Sequence, residues 1–131
     1  MQAHDFEVCG QKWHFCLNGA ALFDCYEKFG PDEPLLSHLE GATKKSFDAL
    51  CWMLAKFAEQ GELVRRYQGH KPEQIPSEAF FRANLAAMDV APAKLVAQAV
   101  IRLGFRRDEE SPEDQDLDLG LQELEKKTAN A

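Results

Sequence analysis

The chain has 131 residues, 45% of them hydrophobic, with four cysteines and a formal net charge of −7, enough for one domain that buries a core without disulfides or metals. The charge is uneven: residues 108–131 hold nine acids and two lysines, whereas residues 1–107 hold thirteen of each sign. Neither part offers the positive field that nucleic acid or anionic lipid requires, so both are disfavoured as partners.

No run approaches the roughly 18 apolar residues of a membrane span, and the first residues lack the basic and apolar regions of a signal peptide, which points to a cytoplasmic protein. The cysteines at 9, 16, 25 and 51 form no Cys-x-x-Cys pair, and in a reducing compartment such residues serve as small buried hydrophobes. The expected division is a helical domain over 1–107 and an acidic, disordered tail over 108–131.

In chain order, Phe6 to Leu17 alternates as a β-hairpin whose two-residue turn is Gly10-Gln11, of the type with glycine first. That register pairs Val8 with Trp13 and Phe6 with Phe15 on the core face, and sets Glu7, Cys9, Lys12, His14 and Cys16 on the other. A lone hairpin is marginal in water, so it must pack on helices. Asn18 then caps a helix with Leu22, Cys25, Tyr26 and Phe29 inward, stopped by Gly30-Pro31. A short helix follows, from Pro34 through Leu35, Leu36 and Leu39 to Gly41.

The central element is Thr43 to Gln60. Phe47, Leu50, Cys51, Leu54, Phe57 and Ala58 line one face at helical spacing, with Thr43 as N-cap and Gly61 as the C-terminal signal. Trp52 and Met53 widen the apolar surface beyond one stripe. The next piece, residues 62–69, has room for one or two helical turns, and Gly69 to Pro76 is a loop. Pro76 or Ser77 opens a helix with Phe80, Phe81, Leu85 and Met88 inward. Pro92 opens another with Leu95, Val96, Ala99, Val100 and Leu103 inward, after a link of only Asp89 to Ala91. The fold class is therefore mainly α, a small helical domain with an N-terminal hairpin packed on the helices.

The chemistry-bearing motifs of enzymes are missing: there is no Gly-rich phosphate loop, no His-Glu-x-x-His and no Gly-x-Ser-x-Gly. Cys9, His14 and Cys16 share a hairpin face where a zinc ion could gather soft ligands, but no fourth ligand is evident. A Cys/His nucleophile pair lacks an orienting third group. No catalytic residue, metal or cofactor is assigned. Arg65-Arg66 and Arg106-Arg107 read as solvated surface pairs. The helices over 76–104 have the length of a DNA-binding helix-turn-helix, making a small DNA-binding regulator the alternative reading. The second helix offers only Lys94, Gln98 and Arg102 to a duplex. Surplus apolar groups at Trp52, Met53, Phe80 and Phe81 are candidates for a partner groove, and Leu117, Leu121 and Leu124, at i, i+4 and i+7, could fold against a client.

A β segment leads into Leu22-x-x-x-Tyr26-Glu27-Lys28-Phe29-Gly30, then the leucine-rich turn Leu35 to Leu39, the helix bearing Leu50-Cys51-Trp52-Met53-Leu54, and two more helices ending near Gly104. Over residues 6–104 this layout resembles the tail assembly chaperones of long-tailed bacteriophages and prophages. The resemblance implies a small, mainly helical cytoplasmic protein that binds the tape measure protein and helps recruit tail tube subunits, with neither enzymatic activity nor cofactor. Such a coating role also implies self-association into a homo-oligomer.

Overall fold

In the computed structural model, which describes residues 1–106, the long helix α2 (Lys44–Tyr67) is the element on which the rest converge. Strand β2 (Gln11–Phe15), helices α1 (Gly19–Phe29), α3 (Glu78–Asn84) and α4 (Val90–Gly104), and the 3₁₀ turn Leu35–Leu39 all pack against it. Its start follows from the sequence: Thr43 Oγ1 accepts the Ser46 N–H at 3.0 Å, and Ser46 Oγ accepts the Thr43 N–H at 3.2 Å. This reciprocal box satisfies two otherwise orphaned donors. Leu50, Cys51, Met53, Leu54 and Phe57 are fully buried along it.

The C-terminus of α2 lies beyond the expected stop. Gly61 does not end the helix, which runs on for six more residues to Tyr67. A Cβ at position 61 would stand 2.1 Å from the His14 carbonyl oxygen. The glycine is therefore a contact point for the hairpin, and the positive φ that closes the helix is found at Gly69, φ 93°.

The hairpin of β1 (His4–Val8) and β2 is antiparallel, with Phe6 opposite Trp13 and Val8 opposite Gln11. Its turn is Cys9-Gly10, not Gly10-Gln11. Both turn residues have positive φ, 58° and 75°, as the mirror-image turn that suits twisted strands requires. The pairing thus differs from the expected register by two residues. A slip of two preserves the side-chain faces, and Val8, Trp13 and Phe15 are buried while Glu7 and Lys12 are exposed. Cys16 departs from the expected solvent face. The chain leaves the strand after Phe15, the Cys16 N–H donates to the Phe57 carbonyl at 3.0 Å, and its side chain is fully buried.

Asn18 caps α1 by accepting the Ala21 N–H at 2.9 Å, and Gly30 ends it at φ 91°. Ser77 caps α3 through the Phe80 N–H at 3.0 Å. The link from α3 to α4 is Leu85–Asp89, containing the 3₁₀ turn Ala87–Asp89, in place of the expected three-residue turn. That rearrangement leaves Met88 82% exposed, not inward.

Helix α4 is rotated from the expected face. Ala93, Ala97, Val100 and Ile101 are buried, while Leu95 is 65% exposed and Ala99 only half-buried. Close approach decides between two apolar faces: alanines let α4 lie near α2, and a Cβ on Gly104 would meet Leu17 Cβ at 2.6 Å. The tail expected over 108–131 lies outside the described residues.

Candidate functional site

The residues picked out as partner-binding divide into core and rim. Met53 and Phe81 are fully buried, so their side chains fill the core and are not open to a partner. Phe81 meets Trp13 edge-on at 6.2 Å between ring centroids, and half-buried Phe80 meets the same indole at 5.5 Å. Strand β2 therefore covers most of the aromatic surplus on α3. Trp52 is half-buried, with Phe29 edge-on at 5.3 Å and Lys56 Nζ 5.9 Å from its ring. It borders a shallow recess of about 310 Å³ shared with Lys56, Glu59, Ile75 and Pro76. Leu117, Leu121 and Leu124 lie outside the described residues.

A larger apolar opening lies elsewhere. Gly30 ends α1, residues 31–33 bend, and Pro34 is extended just before the 3₁₀ turn begins. That segment forms one wall of an open groove of about 620 Å³, whose other wall is the end of α4. Tyr26, Pro31, Pro34, Leu35, Leu36, Ile101 and Phe105 give it an apolar lining, while Asp32 and Glu33 on one wall and Arg102 on the other supply charge. Phe105 is 62% exposed, and Phe23, 68% exposed, meets Tyr26 edge-on at 5.6 Å. Sequence reasoning missed this groove. The available signal was a pair of prolines bracketing an acidic dipeptide, together with an aromatic residue placed just past the glycine that ends α4.

A second exposed stripe runs along α4, through Met88, Pro92 and Leu95. Beside it, Lys94 Nζ donates to the Gly41 carbonyl at 2.8 Å, and on α3 Arg82 pairs with Asp48 at 2.6 Å and Glu78 at 2.8 Å. Two of the cations in the 76–104 segment are thus engaged within the fold.

The titratable groups gather around Glu62, whose side chain is 2% exposed. Its carboxylate accepts from Arg65 Nη1 at 2.6 Å, Arg66 Nε at 2.9 Å and the Glu73 N–H at 2.7 Å. The arginine pair is a clamp on a buried carboxylate, not a solvated surface feature. Burial pushes the Glu62 pKa up, but the hydrogen bonds from Glu73, Arg66 and Arg65 outweigh it and leave the net value below the usual 4.5. His14 bridges the hairpin to the 69–76 loop: Nδ1 lies 2.5 Å from Asp5 Oδ1 and Nε2 lies 2.8 Å from Glu73 Oε1.

His14, Glu62 and Glu73 are the one group among the described residues whose ligand atoms come within 4.8 Å of one another. They fit a cation poorly, because Glu62 already serves three donors, two of them guanidinium groups. Cys9, His14 and Cys16 form no such group. Desolvation raises the Cys16 and Cys51 thiols to about 11 and Cys25 to about 12, values that suit inert core residues. No helix among the described residues is long and apolar enough to cross a membrane. No family model, curated protein or solved structure matches the chain.

Proposed function

We propose that the chain is a non-enzymatic binding protein that holds an amphipathic helical client, acting in the bacterial cytoplasm as a phage tail assembly chaperone that coats the tape measure protein and helps recruit tail tube subunits. The supporting observation is the apolar groove between Tyr26, Leu36 and Phe105. Its volume of about 620 Å³ falls within the range of ordinary ligand sites, roughly 300–1,000 Å³. A row of apolar side chains from a helix can enter such a groove, with Asp32, Glu33 and Arg102 meeting polar residues at its edges. A long tape measure helix presents apolar stripes that aggregate unless covered, which supplies the need for such a partner.

Co-expression with the tape measure and tube proteins of the same gene cluster tests this reading. A co-purifying complex that the substitution Phe105→Asp disrupts is the expected result. The absence of any complex overturns it, and retention on duplex DNA at moderate salt would instead favour a regulator built on residues 76–104. The coating role also carries self-association. Sedimentation that finds only monomer from micromolar to near-millimolar concentration defeats that part.

A further inference from the structure

The two walls of the groove carry charges of opposite sign. Asp32 and Glu33 stand on the 31–36 segment and Arg102 on the end of α4, all three exposed. Between these charges the lining is apolar: Leu35 and Ile101 are buried, Tyr26 and Leu36 are half-buried, and Phe105 is 62% exposed. Prolines at 31 and 34 fix φ on either side of the acidic pair, and Arg102 rides on the last turn of a helix. Glu33 accepts a hydrogen bond from the Ser37 hydroxyl at 3.3 Å, which leaves its charge in place. Among the described residues, neither Asp32 nor Arg102 enters an ion pair.

An occupant has to match this asymmetry. A helix lying in the groove sets its apolar stripe against the lining and one polar flank against each wall. Acids on the flank beside Asp32 and Glu33, or bases on the flank beside Arg102, would bring like charges together and select against that partner.

On the basis of the client reading above, we propose that the groove selects an amphipathic helix with flanks of opposite charge, basic along the side that meets Asp32 and Glu33 and acidic along the side that meets Arg102.

Three fluorescently labelled model helices, titrated with the full chain and followed by anisotropy, test this. Each is about 20 residues long, enough to form a helix, and carries the same leucine stripe. The first has lysines on one flank and glutamates on the other, the second glutamates on both, the third lysines on both. At about 0.15 M salt, where charges more than roughly 8 Å away are screened, the first should bind about tenfold tighter than the second and about threefold tighter than the third. Asp32→Lys combined with Glu33→Lys makes both walls basic, so the all-glutamate helix should become the tightest. Arg102→Glu makes both walls acidic and should give first place to the all-lysine helix. Glu7→Lys alters charge beside Asp89 and Pro92, at the other end of α4, and should leave the ranking as it is in the parent.

Equal affinities for the three helices, or a ranking that the wall variants do not shift, overturn the proposal while the apolar groove stands. Binding of none of the three removes the groove reading together with this inference. Binding that weakens as the chain is concentrated would assign the groove to a second copy, and overturns it too.

Discussion

Gly61 of α2 lies directly on the backbone of His14: a Cβ added there would be 2.1 Å from the His14 carbonyl oxygen and 2.8 Å from Phe15 Cα. Within a helix, alanine is ordinarily favoured over glycine by about 1 kcal/mol. Here the sign reverses, because backbone atoms cannot yield as a flexible side chain can. Gly61→Ala should destabilise the fold by about 2–3 kcal/mol and lower Tm on the order of 10–20 °C. Thermal unfolding followed by circular dichroism checks it, and an unchanged Tm would mean that the hairpin does not seat at this point.

Glu62 joins α2 to the 69–76 loop. Replacing it by glutamine removes the charge that two arginines share, at a cost of about 2–4 kcal/mol. Its folded pKa is depressed, so its stabilisation is full above the usual value of 4.5 and is lost as pH falls through the lower folded value. Denaturant midpoints across acid pH should therefore show the parent and Glu62→Gln curves converging below about pH 4.5. Parallel curves would contradict the clamp.

The thiols provide an independent check of the core. Cys16, Cys25 and Cys51 are buried, with desolvation raising them from 9.0 to about 11, 12 and 11. At pH 8 a thiol with a pKa near 11 is about one part in a thousand thiolate. Half-exposed Cys9, raised by burial and by Asp89, should be the one site that a disulfide reagent labels in the native protein. All four should react in denaturant. Because the folded values are raised, the associated stability is complete below about pH 9 and falls as pH rises through the folded values near 11 and 12.

The groove predicts a variant with altered binding and unaltered folding. Phe105 is 62% exposed, so Phe105→Asp should shift stability by no more than about 0.5 kcal/mol. The same change should weaken a helical client about tenfold or more if the ring anchors it. Loss of binding together with a large fall in Tm would point to misfolding instead.

Much of this architecture was legible in the sequence, for local reasons. Asn18, Thr43 and Ser77 are strong caps, and the hairpin faces follow from alternation even where the register does not. The hairpin register turned on a local choice of turn residues, Cys9-Gly10, whereas the other misses turn on packing between segments far apart in the chain. Gly61 reads as a stop until the hairpin is seen resting on it. The inward face of α4 could not be chosen because apolar residues nearly encircle the helix, and Ala93, Ala97 and Gly104 won through closeness of approach, not hydrophobicity. Arg65 and Arg66 look like surface charges because their helix neighbour Glu62 is buried only once the 69–76 loop folds back and the Glu73 N–H closes on its carboxylate. The groove went unseen because its walls come from segments that meet only in three dimensions.

The seating of β2 on α2 also bears on the order of events during synthesis. The hairpin leaves the ribosome first, yet its support does not exist until α2 has emerged, some fifty residues later. At about 5–20 residues per second, that leaves roughly 3–10 s in which the strand pair has no surface to rest on. During that interval Phe6, Trp13 and Phe15 are open to chaperones or to another nascent chain. Slow codons within α2 would lengthen this exposure, whereas slow codons after Tyr67 would allow docking before α3 and α4 are made.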